Sequence, residues 1–204
     1  MSSKRLLRII RAPFVCVLVF LIYCLGCLCY DKRYLRGRYF DRKHFTVGWR
    51  WILRYWFGQK VMRKNGHVPW PVPPHTLVAC PQNVIFDVDD MQNFHTVGSY
   101  FQGIDATITI GKGCAIAAGV GMITANHQIG KIEKHESGKP IVLGEGCWIG
   151  MNAVILPGVV LGPNTVVGAG SVVTHSFPEG NCILVGNPAQ KLREISKGED
   201  DEKS

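Results

Sequence analysis

The chain has 204 residues, 47% apolar and 19% charged, enough to bury a full core and too apolar to be a disordered segment. Its net charge of +8 is uneven: residues 1–64 carry 15 Lys and Arg against two acids, and residues 65–204 carry eight against 13. A basic N-terminal third joined to an acidic remainder excludes a nucleic-acid-binding domain in the larger part and marks the basic part as an appendage.

Residues 1–30 read as a basic tail and a membrane helix. Residues 12–30 are 19 positions without a charge, and a helix of that length nearly matches the hydrocarbon core of a bilayer. Lys4, Arg5, Arg8 and Arg11 precede the run, and Lys32, Arg33, Arg36, Arg38, Arg42 and Lys43 follow it. Positive flanks on both sides, with Pro13 near the start, suit either a crossing helix or a re-entrant one, and both keep the rest of the chain on the cytoplasmic face of the inner membrane. Residues 31–67 form a basic, aromatic, amphipathic segment. Phe45, Trp49, Ile52, Leu53 and Trp56 fall at helical spacing, with cations at Arg50, Arg54, Lys60, Arg63 and Lys64, which predicts an interfacial helix on anionic lipid. The competing reading is a helix packed on the protein's own domain. The eight cysteines show no paired metal-ligand spacing in the domain and are expected as small apolar filler, not as a disulfide framework.

Residues 68–190 hold the domain. From Ile104 an aliphatic residue recurs every six positions, at Ile110, Ile116 and Met122, then at Leu143, Ile149, Ile155, Leu161, Val167 and Val173. Neither the helical period nor strand alternation repeats at six, whereas a prism-shaped parallel β-helix with one hexad per face does. Leu143 should therefore stack under Leu161 and Ile149 under Val167, with one or two irregular coils in residues 68–103. The repeat breaks once, because Met122 and Leu143 are 21 positions apart, which leaves a loop at 126–141.

These hexads, the loop opening Thr124-Ala125-Asn126-His127, and the stretch from Cys147-Trp148-Ile149-Gly150 to Val185-Gly186-Asn187-Pro188-Ala189 resemble the hexapeptide-repeat acyltransferases. The likeness is greatest to the sugar and polysaccharide O-acetyltransferases related to maltose, galactoside and xenobiotic acetyltransferases, and it covers residues 87–195. It implies an all-β, left-handed parallel β-helix, assembled as a homotrimer with sites between prisms. It also implies acetyl-CoA as co-substrate, no metal, and direct transfer to a hydroxyl of a glycan or lipid-linked sugar. His127 falls on the catalytic histidine at the start of the loop, a neutral imidazole able to take the hydroxyl proton. Its second nitrogen requires an orienting acceptor, either Glu133 or a backbone carbonyl.

By the same resemblance, backbone groups near Gly150 and Met151 are candidates for the oxyanion donor. Gly150, Met151, Gly168, Ala169 and Thr174 should line the coenzyme groove, with Lys191 and Arg193 near its phosphates. Asn93, His95, Asn126 and Trp148 are candidate acceptor contacts. His135 is expected to be solvated, and His175 lies in the coenzyme stretch. Gln190 departs from the family pattern, where a basic residue commonly follows Pro-Ala. Asn187-Pro188-Ala189 reads as the cap and first turn of a short terminal helix, so residues 191–204 are expected as helix and acidic tail. Membrane lipids are an expected partner, and nucleic acid is not. Other readings are a non-catalytic trimeric membrane scaffold, a different donor such as acyl carrier protein, and a carbonic-anhydrase-like metal enzyme. The last needs two histidines five apart in the loop region, where His127 has Ile132.

Overall fold

A computed structural model describes residues 3–195, which fall into two compact units divided between Pro74 and His75. The side chains of Lys4, Arg5, Arg8 and Arg11, and the acidic tail at 196–204, lie outside the described residues. In the first unit α1 (Ser3–Cys29) carries Pro13 inside it, and α2 (Val47–Trp56) runs into a π-helical turn at Phe57–Val61. Among the described residues no helix is long and apolar enough to cross a membrane.

The two helices approach closely at Gly26, where an added Cβ would lie 2.8 Å from Ile52 Cδ1. Trp49 and Ile52 are fully buried. The Trp49 ring meets Phe40 and Tyr23 edge-on at 5.1 and 6.3 Å, and its Nε1 donates to the Asp41 carbonyl. This corrects the interfacial expectation for these two residues, since their stripe packs against α1 and is not free for lipid. An apolar stripe at helical spacing has the same pattern whichever apolar partner covers it. Gln59, also buried, accepts from Tyr30 Oη and Val72 N–H and donates to the Asn65, Val68 and Trp70 carbonyls. That amide ties the buried Val68, Trp70 and Val72 to the first unit, so the compact division falls after Pro74 and not at residue 68.

The second unit opens with β1 (Leu77–Val78), β2 (Val84–Ile85), a 3-10 segment at Val88–Phe94, β3 (Tyr100–Phe101), β4 (Ile108–Ile110), β5 (Ala115–Ile116) and β6 (Gly121–Met122). A hairpin of β7 (His127–Gln128) and β8 (Lys131–His135) follows. The chain then continues through β9 (Ile141–Leu143), β10 (Trp148–Ile149), β11 (Val154–Ile155), β12 (Val160–Leu161), β13 (Val166–Val167), β14 (Val172–Val173), β15 (Cys182–Gly186) and β16 (Ala189–Glu194).

Apart from the β7–β8 hairpin, the strands form three sheets: a first face of β1, β3, β6, β11 and β14, a second of β2, β4, β9 and β12, and a third of β5, β10, β13, β15 and β16. The chain visits the faces in turn, and all pairings are parallel except β7 with β8 and β15 with β16. Leu143 pairs with Leu161, Ile149 with Val167 and Ile155 with Val173, as the period of six requires. Each of these residues is buried, while its strand neighbour faces outward. Cys114, Cys147 and Cys182 are free thiols buried in the same interior. The Cys114 thiol is pushed up by its hydrogen bond with Cys147 and by burial.

Both ends of the third face are sealed. At its start the Asn93 amide takes the place of a missing strand, with Nδ2 donating to the Cys114 carbonyl at 2.9 Å and Oδ1 accepting from Ile116 N–H at 3.0 Å. Asp90 accepts from Gly113 N–H beside it. At the other end β16 turns back on β15 in an antiparallel hairpin with a bulge at Leu192. The expected terminal helix is therefore replaced by a strand, because the open edge of β15 offers ladder partners that a helix could not use.

Candidate active site

The histidine loop leaves the prism after β6, at the corner between the first and second faces, and returns at β9. Its root is clamped. Gln102 Oε1 accepts from both Thr124 N–H (3.0 Å) and Ala125 N–H (2.9 Å), and Thr124 Oγ1 donates to the Ile104 carbonyl. Lys139 N–H closes the returning limb on the Thr124 carbonyl. Gly138 allows that limb to pass against Ile104 and Asp105, where a Cβ would lie 2.7 Å from the Ile104 oxygen.

Past this clamp Asn126 and His127 are exposed. His127 Nδ1 lies 2.6 Å from the Ile132 carbonyl oxygen, on the other strand of the small hairpin. A carbonyl only accepts, so Nδ1 carries a proton, and in the neutral form of the ring the acceptor nitrogen is Nε2. The acceptor that faces Nδ1 in this structure is thus a backbone carbonyl and not the Glu133 carboxylate. His135 pairs with His127 in the hairpin, with ring centroids 4.3 Å apart. It is exposed as expected, yet its ring lies against that of the candidate base at a tilt of 36° and is not merely solvated. Gln102 and His135 carried no motif in the sequence. The turn at Ile129-Gly130 does not predict the pairing, because regular register from Gln128 and Lys131 would set His127 opposite Ile132, and an irregularity in the hairpin brings it opposite His135 instead.

Gly150, Met151, Gly168 and Ala169 meet at the corner between the third and first faces. The glycines there serve the coils themselves. A Cβ on Gly150 would lie 2.7 Å from Ala169 N and Val167 O, and one on Gly168 would lie 2.8 Å from Val185 Cγ1. Gly150 N–H donates to the Val167 carbonyl and Gly168 N–H to that of Leu184, so neither serves an oxyanion. Among the described residues Met151 N–H has no such partner, and Met151 and Ala169 are exposed. Trp148, on the third face just before this corner, is 57% exposed.

Thr174 does not join that group. It lies after β14 at the corner above the histidine loop, hydrogen-bonded to His175. Lys191 and Arg193 flank the bulge of β16, with Lys191 paired to Glu194 at 3.1 Å. Asn93 is withdrawn as an acceptor contact because it is buried and its amide seals β5. His95 is withdrawn because both its ring nitrogens are shielded from solvent. Among the described residues no group of three His, Cys, Asp or Glu side chains is placed to hold a metal ion.

The family described as "Bacterial transferase hexapeptide (six repeats)" matches residues 140–175. The putative colanic acid biosynthesis acetyltransferase WcaF of Escherichia coli is 31% identical over 150 residues, covering 72% of this chain and 75% of the relative. The chain belongs to the hexapeptide-repeat transferase family. Galactoside O-acetyltransferase of Escherichia coli is 40% identical over 96 residues, covering 45% of this chain and 46% of that protein. A solved galactoside acetyltransferase in complex with coenzyme A aligns with a TM-score of 0.50 at 31% identity, covering 62% of each chain. The prism is thus the left-handed β-helix of hexapeptide-repeat transferases. The chain spans 44% to 48% of the length of the first curated relatives it matches.

Proposed function

We propose that this chain transfers an acetyl group from acetyl-CoA to a hydroxyl of a sugar, polysaccharide precursor or lipid-linked glycan, with His127 as general base. The observation that carries the reading is the bond from His127 Nδ1–H to the Ile132 carbonyl, which leaves Nε2 as the acceptor on an exposed ring. Nε2 takes the hydroxyl proton as the oxygen attacks the thioester carbonyl carbon. Collapse of the tetrahedral oxyanion breaks the carbon–sulfur bond, and the imidazolium returns its proton to the departing thiolate. Met151 N–H is the donor available to the oxyanion. The exposed corner at Met151, Ala169 and Gly170 suits the coenzyme arm, since a Cβ on Gly170 would meet nothing within 4 Å. Lys191 and Arg193 suit its phosphates. The relatives named for galactoside and colanic acid support a glycan acceptor.

The loop and the Trp148–Met151 corner stand at opposite edges of the first face, so one prism separates the base from the acyl corner. A homotrimer, with each loop set against a neighbour's corner, brings them together. The exposed apolar residues of α1, among them Phe14, Phe20 and Leu28, and the basic charge of residues 1–64 support attachment to the inner membrane, with the catalytic unit on the cytoplasmic side.

The test is acetyl-CoA consumption by full-length protein in detergent, with a galactoside and with membrane-extracted glycolipids as acceptors, alongside mass measurement of the assembly. Acceptor-dependent release of coenzyme A by a trimer is expected. Release that is indifferent to His127→Ala, or full activity in a monomer, would overturn the reading.

A further inference from the structure

We infer that the first unit holds one anionic phospholipid, with an acyl chain in a groove along α1 and the phosphate against Arg42. The groove has a volume of about 250 Å³ and is lined by Cys16, Val19, Phe20, Tyr23 and Arg42. The first four residues form one stripe of the helix, at spacings of three and four, so the slot runs along α1 with uncharged walls. Arg42 supplies the charge among these lining residues. Its guanidinium lies 4.6 Å over the Tyr23 ring and donates from Nη2 to Tyr23 Oη at 3.2 Å, which fixes the cation at the groove. A guanidinium has five N–H donors in a planar fork suited to phosphate, and Tyr23 takes one.

The surroundings select an amphiphile. Phe20 is 63% exposed and Leu21 60%, so the groove opens within an apolar surface that water solvates poorly. Lys32, Arg33, Arg36 and Lys43 share the following segment with just two acids. Asp31 pairs with Arg33, and Asp41 with His44, leaving a positive field. An apolar slot with a fixed cation beside it, in a positive field, complements a chain carrying an anionic head. The inference rests on reading the first unit as a membrane device and is independent of the chemistry at His127.

The experiment is flotation of full-length protein with vesicles of phosphatidylcholine alone and of phosphatidylcholine with phosphatidylglycerol. The variants are Arg42→Gln, the charge-matched Lys43→Gln and the uncharged Phe20→Gln. Selective binding to phosphatidylglycerol vesicles is expected. Arg42→Gln should weaken it at least about tenfold, because a fixed guanidinium–phosphate pair exceeds a diffuse charge, whereas Lys43→Gln should cost about fivefold or less. Phe20→Gln should weaken binding without changing the salt dependence. Equal losses in the two charge variants, or equal binding to both vesicle types, would overturn the site. Absence of binding to either vesicle would overturn membrane attachment as well, while acetyl transfer to a water-soluble acceptor would still be read separately.

Discussion

His127 Nδ1 lies 2.6 Å from the carbonyl oxygen of Ile132, so the tautomer of the proposed base is set by its own hairpin and not by a carboxylate. His127→Ala is expected to lower turnover at least about 10²-fold, the low end of general-base catalysis, with unchanged coenzyme affinity. Steady-state kinetics with acetyl-CoA titrations check this, and wild-type turnover would exclude His127 as base.

The tilted ring contact between His127 and His135 predicts a smaller effect confined to kcat. Loss of an aromatic neighbour should reduce kcat about threefold to tenfold in His135→Ala, whereas His135→Phe should restore most of it. If Phe and Ala behave alike, the ring contact at 4.3 Å does not position the base.

Gln102 holds two N–H groups at the root of the loop. Gln102→Leu keeps the volume but removes the acceptor, at roughly 1–3 kcal/mol for each donor left unpaired. Faster hydrogen exchange at Thr124 and Ala125, with a lower kcat, is the expected result. Unchanged exchange would remove Gln102 from the positioning of the loop.

Two glycines should respond with opposite signs. Gly150→Ala drives a Cβ into the backbone of the next coil and should cost about 1–3 kcal/mol. Gly121→Ala meets nothing closer than 3.8 Å and should stabilise by about 0.4–1 kcal/mol through the unfolded chain. Thermal melts of the two variants decide it.

Asn93→Leu removes both hydrogen bonds beneath β5 and should lower stability by roughly 1–3 kcal/mol for each group left unpaired. The KM for acceptor should stay unchanged, whereas a change in KM at unchanged stability would return Asn93 to the acceptor site.

The upper coils were legible because inward residues at period six, such as Leu143 and Leu161, have no helical or simple strand equivalent. The His127 loop was legible as the one interruption of that period. The lower coils were not, since Phe101 and Met122 pair at a spacing of 21 and the 3-10 segment occupies the third face without a strand. Trp49 and Ile52 misled because an amphipathic stripe does not declare its partner, and the close approach at Gly26 lies a distant stretch of sequence away. Asn187-Pro188 serves a helix start and a hairpin turn equally well. The choice fell to the unpaired edge of β15, which no local window displays.

The return of β16 along β15 also bears on how the protein would fail. A parallel coil stack is a template that any further strand could extend, and in this fold the top of the third face is blocked by a bulged strand carrying Lys191, Arg193 and Glu194. A chain cut before Ala189 would keep its hexads and lose this stopper. Its weakness would then be end-to-end growth into filaments, with each prism docking on the bare edge of another, before any loss of its own core.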